Sequence, residues 1–177
     1  MAHFPQPYNW LLVLILFVTL LGSATALRAM SPDASAQAPT SDSDPSVLPD
    51  RDFTTMDGQK ISLYQFKGKT VLVHYWGTWC PPCIKELPNL LSVVKNNDRV
   101  VVLAVTVDRN LLAVKDFLSR VNANPPPKNV YFIMDPESSI MIGNRPVNRF
   151  PTTYVISPNM YLADRINGGL DWNGYSF

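Results

Sequence analysis

Cys80 and Cys83 are the only two thiols in a chain of 177 residues. They stand three positions apart in Trp79-Cys80-Pro81-Pro82-Cys83, after an apolar strand-like run, Thr70 to Trp76, and before apolar residues at helical spacing. Two thiols so placed can open and close a small disulfide reversibly. Cys80 is expected at the helix N-terminus, where free N–H groups and the helix dipole favour a thiolate. That makes Cys80 the nucleophile, exposed beside Trp79, and Cys83, one turn inside, the thiol that resolves a mixed disulfide. Pro81 and Pro82 remove backbone donors and restrict the loop, which bears on how readily the pair is reduced. A static disulfide closing so short a loop would add little stability, and two thiolates are too few for a four-ligand zinc site. No metal is expected, and no cofactor beyond the Cys80–Cys83 disulfide itself.

Two ionisable side chains lie near the pair in sequence. Glu86, one of only two glutamates in the chain, follows Cys83 by three residues and so shares its side of a helix. A carboxylate buried there has a raised pKa and can accept the Cys83 proton. His74, six residues before Cys80, shares a strand face with Trp76. It reads equally as a hydrogen-bonded core histidine and as a proton relay that meets Glu86 beneath the thiols.

The remaining pattern supplies the elements that must hold these residues. Phe53 to Thr55 and Lys60 to Leu63 flank Met56-Asp57-Gly58-Gln59, a hairpin signal. Helical spacing runs through Ile84, Leu87, Leu90, Leu91 and Val94, with Pro88 expected to kink the helix. Arg99 to Val107 reads as a strand covered on both faces, and Leu111 to Val121 as an amphipathic helix. After a proline-rich loop, Asn122 to Asn129, come a strand at Val130 to Met134 and a short helical turn at Ser138 to Ile142. Thr152 to Ile156 and Tyr161 to Ile166 form a final hairpin. Alternating strands and helices followed by a hairpin indicate an α/β sandwich around a central mixed sheet.

Composition bounds the setting. Hydrophobic residues make up 46% of the chain, enough for a core, and a net charge of +1 with no dense Lys/Arg cluster excludes a nucleic-acid partner. Trp10 to Leu27 carries no charge. As a helix its 18 residues would rise about 27 Å, just short of a bilayer core of about 30 Å. Ala24-Thr25-Ala26 has the small-x-small form of a cleavage site, whereas no Lys or Arg precedes the apolar run. Residues 1–28 are therefore read as a signal peptide or an N-terminal membrane anchor. Residues 29–47, rich in Pro, Ser and Asp, read as a disordered linker, and residues 48–177 as the folded domain. A leader of this kind places the domain outside the cytoplasm, where thiol pairs can cycle.

The motifs together carry a resemblance. Leu63-x-x-Phe66-Lys67-Gly68-Lys69, Tyr75-Trp76-Gly77-Thr78-Trp79-Cys80-Pro81-Pro82-Cys83, Glu86-Leu87-Pro88, Asp108, and Phe150-Pro151-Thr152-Thr153 resemble the TlpA/ResA group of thioredoxin-fold proteins. The resemblance implies a thioredoxin-like fold with an N-terminal β-hairpin extension. It implies extracytoplasmic thiol–disulfide exchange, as by periplasmic reductases that are anchored to the inner membrane or secreted, acting on protein dithiols and disulfides. A membrane electron donor of the thiol-reductase type is the expected source of electrons, and cytochrome c or other metalloprotein maturation a possible setting. It also implies that Pro151 is cis and faces the cysteines, that Phe150 lines the substrate groove by its backbone, and that Glu86 lies beside the active pair. His74 stands where thioredoxins carry a buried acid. Two features depart from the group. Thr152 stands where cytochrome c maturation members usually carry an acidic residue, and the closing C-terminal helix expected after Trp172 is missing. The alternative readings are a copper-binding thiol chaperone and a peroxidase of the same fold.

Overall fold

The computed structural model describes residues 47–177. The expected leader and most of the linker lie outside the described residues. Among those described, no helix is long and apolar enough to cross a membrane.

Among the described residues seven strands and two α-helices follow one another: β1 (Asp52–Thr54), β2 (Lys60–Ser62), β3 (Thr70–Trp76), α1 (Pro81–Val94), β4 (Val100–Thr106), α2 (Leu111–Arg120), β5 (Val130–Met134), β6 (Thr152–Ile156) and β7 (Leu162–Asn167). The last five strands form one sheet in the order β5-β4-β3-β6-β7. The β3–β4 and β4–β5 pairs are parallel; β3–β6 and β6–β7 are antiparallel. This is the mixed sheet that the runs of β-branched residues imply. The central strands β3, β4 and β6 are buried almost throughout, because helices cover one face and loops and a hairpin cover the other.

Period-two alternation along β3 divides the core. Leu72 and Trp76 face α1 and α2, packing with Cys83, Leu87, Leu90, Val94, Val114 and Phe117. Val71, Val73 and Tyr75 face the opposite layer, which is built from Phe53, Ile61, Leu63, Phe66 and Ile142. That layer contains the β1–β2 hairpin, turned by Gly58 at φ +87°, and a 3-10 turn at Leu63–Phe66.

Pro88 lies inside α1 and does not end it. An internal proline costs about 3 kcal/mol, whereas each fully buried Leu contributes about 1.5–3 kcal/mol. Leu87, Leu90, Leu91 and Val94 are all buried, so packing prevails. The far end of α1 is tied to β4 by Asn129, whose Nδ2 donates to the carbonyls of Val94 and Val100, both at 2.8 Å.

The expected helical turn at Ser138 to Ile142 does not form. The Asp135 carboxylate accepts from the Ser139 N–H at 2.9 Å, the Ser139 hydroxyl at 2.7 Å and the Ile140 N–H at 2.8 Å. A side chain that captures these donors replaces the helical ladder, and Ser138 adopts φ 51° in the resulting turn. After β7 the chain makes a 3-10 turn at Trp172–Gly174. Trp172 is buried against the α1 face, with the Tyr175 and Phe177 rings packed on it at 5.1 and 6.1 Å.

Candidate active site

Cys80 is the N-cap of α1, with extended backbone (φ −100°, ψ 103°), and Pro81 and Pro82 open the helix. Proline is well placed in a first turn, where N–H groups have no intrahelical acceptor. Cys80 and Cys83 are joined in a disulfide. Cys80 is less open than expected: it is 4% exposed, against 0% for Cys83. Its Sγ is bonded to a cysteine inside the core cluster of Leu87 and Trp172, which draws it inward.

Trp79, by contrast, is 60% exposed. Its ring meets the Phe150 ring edge-on, with centroids 5.5 Å apart. A Cβ on Gly77 would lie 2.9 Å from this indole, so the residue two before Trp79 must be glycine for the ring to rest there. The Phe150–Pro151 bond is cis, as the resemblance implies, and Pro151 is buried. Phe150 thus reaches the cysteine loop through its side chain, a contact not expected from the sequence.

A residue missing from the expected site is Asp108, two residues beyond the end of β4. It is buried, and its carboxylate accepts from the Thr78 N–H at 2.8 Å, the Thr78 hydroxyl at 2.7 Å and the Thr106 hydroxyl at 2.6 Å. Thr78 lies two residues before Cys80, so Asp108 fastens the loop that leads into the dithiol. Asp108 belonged to the motif pattern, but its partner is thirty residues away and only the parallel β3–β4 pairing brings the two together.

Glu86 is buried one turn beyond Cys83. Its Oε1 accepts from the Trp172 indole N–H at 2.7 Å, and its Oε2 makes no hydrogen bond. Burial raises the carboxyl pKa to about 6, the Trp172 and Leu170 N–H groups opposing the rise. A cleft lined by Pro82, Lys85, Asn89, Gly169 and Leu170 adjoins this carboxyl.

His74 is fully buried on β3, directly opposite Thr153 of β6. Its Nδ1 lies 2.8 Å from the Thr153 hydroxyl, and its Nε2 has no hydrogen-bond partner. Desolvation lowers its pKa to about 3. The expected contact with Glu86 is not made. Register sends the imidazole to β6, and the carboxyl is taken by an indole from the end of the chain. Among the described residues no group of three or more His, Cys, Asp and Glu side chains is gathered around a possible metal position.

Residues 33–172 match the redoxin family. The thiol-disulfide oxidoreductase ResA of Bacillus cereus is 32% identical over 117 residues, covering 65% of this chain and 64% of that protein. ResA of Geobacillus kaustophilus is 31% identical over 125 residues, covering 70% of this chain and 68% of that protein. Among solved structures, a thiol:disulfide interchange protein of the thioredoxin family from Chlorobium tepidum aligns with a TM-score of 0.58 at 26% identity, over 73% of this chain and 90% of that one. The matched part spans 60–64% of the length of the Bacillus relatives. The family match takes in the dithiol, its helix and the Pro151 strand together, and the chain belongs to the redoxin family as a ResA-like protein of thioredoxin fold.

Proposed function

We propose that this chain is an extracytoplasmic thiol–disulfide oxidoreductase that reduces protein disulfides. The observation that carries the reading is the Cys80–Cys83 disulfide at the mouth of α1, beside the Trp79–Phe150 ring pair and the cis bond before Pro151.

The cycle needs a dithiol donor, which gives two electrons and two protons and leaves Cys80 and Cys83 as thiols. The resemblance to membrane-linked reductases supports a donor in the membrane. Cys80, whose thiolate is favoured by the first turn of α1, attacks one sulfur of a partner disulfide. A Cys80–partner bond forms, the partner's own S–S bond breaks, and the departing sulfur leaves as a thiolate. Cys83 then loses its proton and attacks the Cys80 sulfur. The intramolecular disulfide returns and the partner leaves fully reduced, having gained two electrons and two protons.

Glu86 receives the Cys83 proton. With a pKa of about 6 it is mainly ionised at pH 7 yet close enough to neutrality to exchange protons readily, and its Oε2 is unengaged. His74 is a positioning residue. A base whose conjugate acid has a pKa of about 3 is a poor proton acceptor near neutrality, and its contact to Thr153 ties β3 to the strand that follows Pro151. The uncharged stretch at residues 10–27 supports placement outside the cytoplasm, as a tethered or a released domain. Cytochrome c or other metalloprotein maturation is the setting that the family resemblance supports.

The test is turnover of insulin disulfides by the full chain with added dithiol, paired with titration of Cys80–Cys83 against glutathione. Turnover that is abolished in Cys80→Ser, a trapped mixed disulfide in Cys83→Ser, and a potential nearer −270 than −120 mV are the expected results, on a scale of roughly −270 to −120 mV for such dithiols. A potential at the oxidising end would remove the reductase assignment, and absence of turnover would remove exchange itself.

A further inference from the structure

The chain leaves β7 at Asn167 and passes beside the start of α1. Gly168 makes the turn at φ +94°, a backbone region that a side chain disfavours, and its N–H donates to the Pro151 carbonyl at 2.8 Å. Farther on, the Trp172 backbone N–H donates to Asn89 Oδ1 at 2.8 Å, and its indole N–H to Glu86 Oε1 at 2.7 Å. Gly169 is held between these fixed points, beside the Glu86 carboxyl. A Cβ on Gly169 would lie 3.7 Å from Glu86 Oε2 and 3.8 Å from Pro82 Cβ. Both are ordinary contact distances, and Gly169 itself is not in the left-handed region. Neither conformation nor crowding requires glycine here.

What glycine does at this position is keep the cover over one oxygen thin. Oε1 is taken by the indole, whereas Oε2 is buried and makes no hydrogen bond. Glu86, Gly169 and Pro82 all line one cleft, so on this side only backbone stands between Oε2 and the cleft. The other ionisable groups around the carboxyl offer the proton no second way out. On α1, Cys83 is held in the disulfide and Lys85 lines the same cleft; Asp171 lines it from the chain end. From β3, His74 is turned to Thr153 of β6.

We propose that Gly169 is the proton port of the site, the position at which Glu86 Oε2 exchanges its proton with solvent in the cleft. The inference rests on Glu86 as acceptor of the Cys83 proton, as given above. In that step an O–H bond forms at Oε2 as the Cys83 S–H bond breaks. For the carboxyl to set the pH dependence of exchange, the proton must come and go from solvent. Here it passes between Oε2 and water or a buffer base in the cleft, and no electrons move. A side chain at position 169 would press hydrocarbon against Oε2 and close this exit. The added desolvation would favour the neutral acid.

The experiment uses the full chain in detergent and follows kcat and KM for a peptide disulfide across the pH range around the Glu86 inflection. Gly169→Ala is expected to move the inflection in kcat from about 6 to about 7. At pH 6 kcat should then fall about fivefold, while KM and the alkaline plateau stay native. Gly169→Ser adds the same Cβ and a hydroxyl within reach of Oε2. A donor to the carboxylate favours ionisation, so its inflection should lie below that of Gly169→Ala. Gly174→Ala, where a Cβ meets nothing within 4 Å, should match the native chain. The contact distances at Gly169 leave room for either side chain, and thermal melting checks that both variants fold. A packing defect would affect Ala and Ser alike, so equal inflections in the two variants overturn the port, as does a native inflection in Gly169→Ala. A loss carried by KM at every pH would make Gly169 a contact for the partner polypeptide, and the proposal falls. If the native chain has no inflection near pH 6, or Glu86→Gln keeps it, the Glu86 reading itself fails and the port with it.

Discussion

Glu86 and His74 approach the same dithiol from different elements, and burial moves them in opposite directions. Glu86 lies on the helix that carries Cys83; His74 lies on the strand that leads to Cys80. Desolvation is the largest influence on both, and it penalises whichever form is charged, so the acid is raised and the base lowered. Their partners account for how far each travels. Glu86 has N–H donors from Trp172 and Leu170 that favour the carboxylate and hold it at about 6. His74 has one hydroxyl at Nδ1 and nothing at Nε2, so nothing opposes its fall to about 3. One group stays usable near neutral pH and the other is locked uncharged. Burial of an ionisable group is therefore not enough to make a proton carrier.

The most forceful way to break this comparison is to acidify the protein. His74 has a folded pKa below its unfolded value, so its contribution to stability is full above about 6.5 and is lost as pH falls toward 3. At about 1.4 kcal/mol per pKa unit, the native state should lose about 4 kcal/mol through this group by pH 3. Glu86 acts with the opposite sign. Its folded pKa is raised, so its contribution is full below 4.5 and is lost as pH rises through about 6. Denaturant melts of the native chain and His74→Asn across pH 3–8 should give a markedly shallower acid limb for the variant. Equal limbs would mean that His74 is not held neutral by burial.

Next in size is the catalytic consequence. Glu86→Gln keeps the shape and the acceptor for Trp172 but cannot take a proton. Loss of a general base typically costs about 10²-fold or more. Exchange by the variant should slow by about that factor at pH 7 and lack the inflection expected near pH 6 for the native chain. A pH profile identical to the native one would leave Glu86 without a role in proton transfer and make the two buried groups equivalent.

The division between what was legible in the sequence and what was not follows the same line. β3, β5 and β6 are visible as short runs of β-branched and aromatic residues, and their ends agree with the structure because burial on both faces needs only a local apolar run. The cysteine spacing places the dithiol at a helix start for equally local reasons. The Asp135 turn was misread because a side chain reaching its neighbours' N–H groups competes with a weak helical pattern. Burial of Glu86 with a raised pKa, and a hydrogen-bonded core His74, were legible; the partners that set the two environments were not. The first depends on an indole 86 residues away, the second on an antiparallel register that sets His74 opposite Thr153. Periodicity says which face a residue occupies and nothing about which strand or tail will lie against it.

The finest test alters a partner and leaves the titrating group intact. Trp172→Phe removes the indole N–H that donates to Glu86 Oε1 and keeps an aromatic ring among Tyr175 and Phe177. That donor favours the ionised carboxylate, so its loss lets desolvation act with less opposition, and the Glu86 pKa should climb above 6. A hydrogen bond to a charged group is worth about 1.5–3 kcal/mol, which sets an upper scale of one to two pKa units; solvent reaching the carboxyl through the adjoining cleft should hold the change to about one. The inflection in the exchange rate should move up by that amount while its amplitude persists, since Oε2 can still receive the proton. Packing loss alone would lower stability at every pH without moving the inflection. An inflection that stays at pH 6, or falls, would show that the indole does not tune the acid, and the contrast with His74 would then rest on solvent access alone.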